Sequence, residues 1–312
     1  MPTGRQGSIR LFRLYGVEVF LHWSWFLVAV FEINSRAGDY SSVMWNVMEY
    51  LALFVIVLTH EFGHALACRS VGGNADRIVL WPLGGVAYVD PPPRPGATLW
   101  SIVAGPLVNV ALIPVLWLAG EAAIRANLWE TMPNVARLIA NVTLINKVLL
   151  AFNILPIFPL DGGQILRSLL WYPLGRARSL LAATVLGFIG AAAFIYVAYR
   201  VASTWLIVLA IFMLWNCWGG LKQAQALLKM AKIPRREGYS CPTCHTSPPL
   251  GEFWGCSNCQ QRFDTFASGG VCPNCRTQFA ATRCMDCGRF HSISEWAGQP
   301  LVGEVPLVVK NA

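Results

Sequence analysis

The sequence predicts an all-α membrane protein of about six transmembrane helices, with one re-entrant β-hairpin loop and a small cysteine-rich module at its C-terminal end. Three observations predict this. Of the 312 residues 55% are hydrophobic and 13% charged, against about 25% charged in ordinary soluble domains, and the mean hydropathy is +0.49. The apolar residues are gathered into long runs, each approaching the roughly 20 residues that a spanning helix needs. Eight of the ten cysteines lie beyond residue 240, in four CxxC pairs, which sets the last stretch apart from the rest.

Taken in order, residues 19–33 read as the first span, preceded by Arg5, Arg10 and Arg13 and followed by no small-residue cleavage site, so it is expected to be retained. Residues 51–59 lead into His60 as the second. Residues 78–89 are apolar but too short to span, and two β-prone runs about the Gly84-Gly85 pair predict a hairpin. At membrane depth such backbone is tolerated only where protein or a wet cavity satisfies it, which makes the loop re-entrant. Residues 99–120, 138–170 (interrupted by polar residues), 180–199 and 205–218 supply the remaining spans. Basic residues concentrate before the first span and after the second, fourth and sixth, for example Arg69, Arg77, Arg176, Arg178, Lys229 and Arg236. By the positive-inside rule both termini are expected in the cytoplasm. The net charge of +8 is therefore read as topology, and nucleic acid is not an expected partner. Three segments follow: residues 1–220 in the membrane, an amphipathic linking helix over 221–239 whose basic face suits the lipid surface, and a tail over 240–312.

The chemistry is carried by His60-Glu61-Phe62-Gly63-His64 at the end of the second span. Histidines at i and i+4 share one helix face and can hold a single Zn²⁺, with the intervening glutamate placed to polarise a bound water. Ionisable groups within a span are costly and mark function. A catalytic zinc takes three protein ligands and keeps one open position, so a third ligand is sought on another span. His22, beside Trp23 and Trp25, reads as an interfacial residue. Asp161 is the better candidate: prolines at 156 and 159 interrupt the helix before it, and Gly162 and Gly163 follow it. Asp161 also suits the cap of a helix beginning at Gly162, and the two roles are compatible.

These residues resemble the site-2 proteases, intramembrane zinc metalloproteases. His60 to His64 matches the family's HExxH, and Asn153, Pro156, Pro159, Asp161, Gly162 and Gly163 match its NxxPxxPxDGG pattern. Local agreement extends to residues 16–25, to Gly84-Gly85 and to Ala104-Gly105-Pro106-Leu107-Val108-Asn109, so that the resemblance covers roughly residues 10–220. It implies zinc ligation by His60, His64 and Asp161, with Glu61 as general base. It further implies that Asn109 and Asn153 lie near the site, that the Gly84-Gly85 loop pairs with an extended substrate, and that the substrate is a transmembrane protein. An amide at 109 is equally suited to binding helix to helix. Two other readings compete: a catalytically silent scaffold, which would not need Glu61, and a metal carrier or sensor, whose ligands should line a path.

In the tail, Cys241/Cys244, Cys256/Cys259, Cys272/Cys275 and Cys284/Cys287 are separated by 11, 12 and 8 residues. Eight thiolates in four knuckles make two structural Cys₄ zinc sites, giving three Zn²⁺ per chain with the catalytic one. Sequential pairing of neighbouring knuckles predicts tandem zinc ribbons, with a cross-braced arrangement as the alternative. A segment this short and poor in large apolar residues needs bound metal to hold a fold. Its aromatic residues and arginines are compatible with protein partners, nucleic acid or simple packing, and a regulatory or substrate-docking role is the expectation.

Overall fold

The computed structural model describes residues 7–36, 38–81 and 84–297, and the chain divides into two units between Gln225 and Ala226. The first unit opens with a strand pair where the sequence reading put the start of a span. β1 (Ser8–Leu14) and β2 (Val17–His22) are joined through Tyr15 and Gly16, both at positive φ. Val17 and Val19 are fully buried and Glu18 between them is not, the period of two that makes a strand with one buried face. The helix that follows, α1 (Ser24–Ser35), has 12 residues, hence about 18 Å of length, short of the ~30 Å hydrocarbon core.

Five later helices include the ones long and apolar enough to cross: α2 (Val43–Ser70), α3 (Pro95–Arg125) and, beyond the short α4 (Leu128–Thr131), α5 (Pro133–Ile154), α6 (Asp161–Arg200) and α7 (Thr204–Ala231). Among the described residues five helices are thus long and apolar enough to cross, in keeping with the expected number of about six, and the first apolar run is shared between a strand and a short helix. The run expected over 138–170 breaks at residues 155–160, where Pro156 and Pro159 cannot continue the hydrogen-bond ladder. α6 is 40 residues long and bends at Gly175 (φ 76°, ψ 170°), a conformation open to glycine and strained for other residues. α7 passes through position 220 without interruption, so the sixth span and the linking segment form one helix that stops at Ala231, shortly before Pro234.

Between α2 and α3 lie β3 (Asn74–Trp81) and β4 (Gly84–Asp90), completing a sheet of order β1-β2-β3-β4 in which β2 and β3 are parallel and the outer pairs antiparallel. The expected hairpin is present, but its register pairs Trp81 with Gly84 and Leu80 with Gly85. The glycines therefore sit in β4 rather than between the two strands, and residues 82–83 lie outside the described residues. Val17, Val19, Ile78 and Leu80 pack on Val57, Phe62, Ala65 and Cys68 of α2, which fastens the sheet to the C-terminal half of that helix.

At the other end of α2, the buried Glu49 carboxylate accepts hydrogen bonds from Arg36, Tyr40 and Asn141 of α5, the last at 2.8 Å. Asn46 donates to the Arg36 carbonyl at 2.8 Å. Burial, with the Glu49 carboxylate beside it, pushes the Tyr40 phenol up, so Tyr40 stays neutral and donates. This fully partnered group ties the ends of α1, α2 and α5 together, as an ionisable residue inside a span must be tied.

The second unit holds two short hairpins, β5 (Trp254–Gly255) with β6 (Arg262–Phe263) and β7 (Thr282–Arg283) with β8 (Phe290–His291), and one turn of helix, α8 (Ile293–Trp296). A capping box between Ser292 and Glu295 starts α8. Trp254, Phe266 and Trp296 form its small core. Arg235 pairs with Asp286 at 2.7 Å and Arg236 with Asp264 at 2.5 Å, tying the segment after α7 to the cysteine-bearing loops.

Candidate metal centres

α2 carries His60, Glu61 and His64, all buried, within its last three turns. Asp161 is the first residue of α6, whose cap position is Leu160 rather than Asp161. The helix-cap reading of Asp161 therefore lapses, and its carboxylate turns to the histidines instead. Oδ2 stands 3.0 Å from His60 Nε2 and 3.3 Å from His64 Nε2, and the two Nε2 atoms are 3.1 Å apart. A tetrahedral metal with bonds of 2.0–2.1 Å would separate its ligand atoms by about 3.3 Å, so the three atoms have the spacing of a zinc face.

The protonation of the histidines follows from their other ring nitrogens. Asn146 of α5 donates its Nδ2 to the backbone carbonyl of Asn109 at 3.0 Å, which leaves its Oδ1 to accept from Asn109 Nδ2 at 2.8 Å. Asn109 Oδ1 must then face His60 Nδ1, at 2.5 Å, as an acceptor. His64 Nδ1 lies 2.9 Å from the Ser101 carbonyl, also an acceptor. Both Nδ1 atoms are thus the protonated donors, and both Nε2 lone pairs converge with the Asp161 carboxylate. Three lone pairs directed at one point repel unless a cation sits among them, and such anchoring of the distal nitrogen is the usual support for a metal-bound histidine.

Gly105 makes room for this. A Cβ built there would lie 2.2 Å from His64 Nε2 and 2.9 Å from His60 Nε2, filling the cradle. One turn away on the partner helix, a Cβ at Gly63 would lie 2.7 Å from the Ala104 carbonyl, so α2 and α3 meet backbone to backbone, as small residues allow between membrane helices. Gly162 and Gly163 serve a related purpose: Cβ atoms there would come within 2.1 Å of the Ile154 carbonyl and 2.3 Å of Phe158 N. They admit the returning 155–160 loop onto the start of α6, and so hold Asp161 at the depth of His60. Glu61 lies close enough for its charge to act on the His64 imidazole.

Of the other residues expected at the site, Asn109 is in direct contact with His60. Asn153 is half-buried and makes no side-chain hydrogen bond among the described residues. Gly84 and Gly85 pair with Trp81 and Leu80 of β3. His22 is buried at the end of β2, stacked on Trp81 with ring centroids 4.0 Å apart and bonded to Ser24 Oγ at 2.5 Å, away from the metal cluster. The sequence reading missed three contributors. Asn146 offered a signal, an amide within an apolar helix. Gly105 stood inside a quoted motif without a role, and the Ser101 carbonyl had no signal because every residue carries one.

The eight tail cysteines gather into two sets, Cys241/Cys244 with Cys284/Cys287 and Cys256/Cys259 with Cys272/Cys275. Neither the sequential pairing nor the cross-braced alternative holds. The first knuckle meets the fourth and the second meets the third, so one site is nested inside the other. The closing contacts explain this: Ser240 N bonds the Trp296 carbonyl at 2.7 Å and Trp254 Nε1 bonds the Arg283 carbonyl at 3.1 Å, drawing the two ends of the module together around the inner pair. Cross-knuckle sulfur distances are 3.5–3.7 Å. These are too long for disulfides, at about 2.05 Å, and close to the roughly 3.75 Å edge of a tetrahedron of 2.3 Å Zn–S bonds. All four knuckles share one backbone pattern, in which the amide of the residue after the second cysteine bonds the carbonyl of the first. That residue, His245, Gln260, Arg276 or Gly288, has positive φ in each case, and His245 is not a ligand candidate. The Thr277 hydroxyl draws the Cys275 thiol down to about 5, while burial pushes Cys287 up to about 11 and Cys284 higher still. A metal in these sites must therefore displace protons.

The profile of Peptidase family M50 matches residues 48–142 and 118–197, the stretch that contains every residue of the membrane cluster. A zinc metalloprotease of Methanocaldococcus jannaschii is 34% identical over 180 residues, 58% of this chain and 50% of the relative. Stage IV sporulation protein FB of Bacillus subtilis is 34% identical over 119 residues, 37% of this chain and 38% of that protein. The chain thus spans about half the length, or less, of these curated relatives. The solved structure of a site-2 protease from Methanocaldococcus jannaschii superposes with a TM-score of 0.51 at 29% identity, covering 69% of this chain and 95% of that one. In its membrane-embedded part this chain belongs to peptidase family M50 and has the site-2 protease fold.

Proposed function

We propose that the chain is an intramembrane zinc metalloprotease that hydrolyses peptide bonds of transmembrane proteins. The observation that carries this reading is the convergence of His60 Nε2, His64 Nε2 and Asp161 Oδ2, with both Nδ1 protons fixed by Asn109 and Ser101. His60, His64 and Asp161 would hold the metal. When bound, zinc supplies a Lewis acid for the scissile carbonyl and a water whose pKa falls to about 7. Glu61, buried beside the ligands, takes the proton from the attacking water and returns it to the leaving amine. Asn109 and Asn146 act on neither substrate nor water; they hold the His60 ring. A transmembrane substrate has to unwind before its peptide bond is exposed, and the outer edge of β4 offers the lost hydrogen bonds. Gly84 and Gly85 would let that substrate strand come close. A metal carrier would need further ligand clusters along a path; among the described residues the membrane unit holds one such cluster.

The two nested Cys₄ sites would hold structural zinc, for a total of three per chain, and the module would serve docking or regulation through a protein partner. By the distribution of basic residues both termini are cytoplasmic, which requires the first apolar run, β2 with α1, to make a sixth crossing beside the five long helices. The experiment is zinc content per chain of the purified protein, compared with truncation after residue 239 and with His60→Ala and Asp161→Ala. Three zincs falling to one on truncation, and to none when a membrane ligand is also removed, are expected. Two zincs that vanish together with the tail would overturn the protease reading.

A further inference from the structure

β1 is an edge strand whose two faces differ in character. Its register places Ile9 opposite Leu21, Phe12 opposite Val19 and Leu14 opposite Val17, and cross-strand partners share a face. Val17 and Val19 are fully buried against α2. The same face continues onto β1 without cover: Ile9 is 53%, Phe12 40% and Leu14 46% exposed. Arg10 and Arg13 occupy the opposite face, beside Phe20 and Glu18, and Arg10 pairs with Glu18 at 3.2 Å. The strand is therefore amphipathic, and its apolar side overhangs the helix bundle.

Two features indicate what covers that side. The sheet is fastened to α2 between Val57 and Cys68, within a spanning helix of 28 residues, so β1 lies beside the bundle near the membrane boundary. A second apolar face lies nearby in the chain, since Phe26, Leu27, Val30 and Phe31 of α1 are all exposed. The free edge of β1 presents unpaired N–H and C=O groups, which the hydrocarbon core does not tolerate and the headgroup layer does.

We propose that β1 is a membrane-interface anchor: Ile9, Phe12 and Leu14 enter the boundary between headgroups and acyl chains, and Arg10 and Arg13 face the anionic headgroup layer. Such a strand works as an interfacial amphipathic helix does, with apolar burial and charge attraction combined. It holds the sheet, and with it β4, at a constant depth relative to the metal cluster.

The test uses the full chain in nanodiscs of phosphatidylethanolamine and phosphatidylglycerol, with the photocrosslinker p-benzoylphenylalanine placed at position 12, at 14 or, on the opposite face, at 10. Thermal unfolding in detergent checks that each variant folds as the parent does. After irradiation, mass spectrometry is expected to find lipid adducts at positions 12 and 14, several-fold more abundant than at 10. Crosslinks from 12 and 14 to a second copy of the chain would overturn the proposal and mark β1 as a dimer edge. Equal yields on the two faces, or no lipid adduct at either 12 or 14 in folded protein, would overturn it as well.

Discussion

Replacing Gly105 by alanine adds one methyl group, and the structure says where it goes. The new Cβ would stand 2.2 Å from His64 Nε2, 2.4 Å from His64 Cε1 and 2.9 Å from His60 Nε2. Non-bonded atoms of this kind rest near 3.5 Å, so the His64 ring must retreat by about 1 Å. A metal site tolerates deviations of about 0.2 Å in its bonds, several times less. Moving α2 away instead would open the contact between Gly63 and the Ala104 carbonyl, the close approach that joins α2 to α3. We therefore expect Gly105→Ala to weaken zinc binding in the membrane unit by about 100-fold, the upper end of what loss of a supporting group costs and about 2.7 kcal/mol. Competition against a chromophoric chelator measures it, with the tail zincs as an internal reference that should not change. A variant that holds its membrane zinc with the parent's affinity would refute the cradle and the ligand geometry drawn from it.

Other expectations concern the same groups. Glu61→Gln should keep three zincs and the parent's unfolding midpoint yet lose about 10²–10⁴-fold in cleavage rate, measured on a reconstituted membrane substrate; loss of zinc in this variant would make Glu61 a ligand instead. Asn146→Leu removes the group that orients Asn109, so the His60 tautomer is no longer imposed, and zinc affinity should fall by about 10–100-fold although position 146 touches no ligand atom. In the tail, replacing Cys256 and Cys275 together by serine should remove one zinc and replacing Cys256 and Cys284 together should remove two, because these pairs share a site in the first case and not in the second; native mass spectrometry counts them. Tandem pairing predicts loss of two zincs in the first case.

The membrane character, the HExxH helix, Asp161 and the eight-thiol tail were legible in the sequence because each depends on local spacing. Histidines four apart share a helix face in any context, a CxxC knuckle closes on itself, and a run of apolar residues is costly anywhere but in lipid or a core. What lay beyond reach depended on distant segments. The run over 19–33 became a strand and a short helix because β3, more than fifty residues later, supplies a parallel partner for β2. Gly84 and Gly85 belong to the strand because Trp81 and Leu80 of β3 pair with them.

The sequence by itself thus pointed to the kind of chemistry and the candidate residues for it, since ligand types and their helical spacing are properties of a single segment. Only the tertiary structure decided which segments meet: that Asn146 on α5 orients His60 on α2 through Asn109 on α3, that Gly105 leaves the space against which His60 and His64 rest, and that the two cysteine sets are nested. The physical reason is that identical knuckles are locally equivalent and carry no label for their partner. Pairing among them is chosen by the hydrogen bonds and buried aromatic rings that close the module, and these join residues as distant in the chain as Ser240 and Trp296.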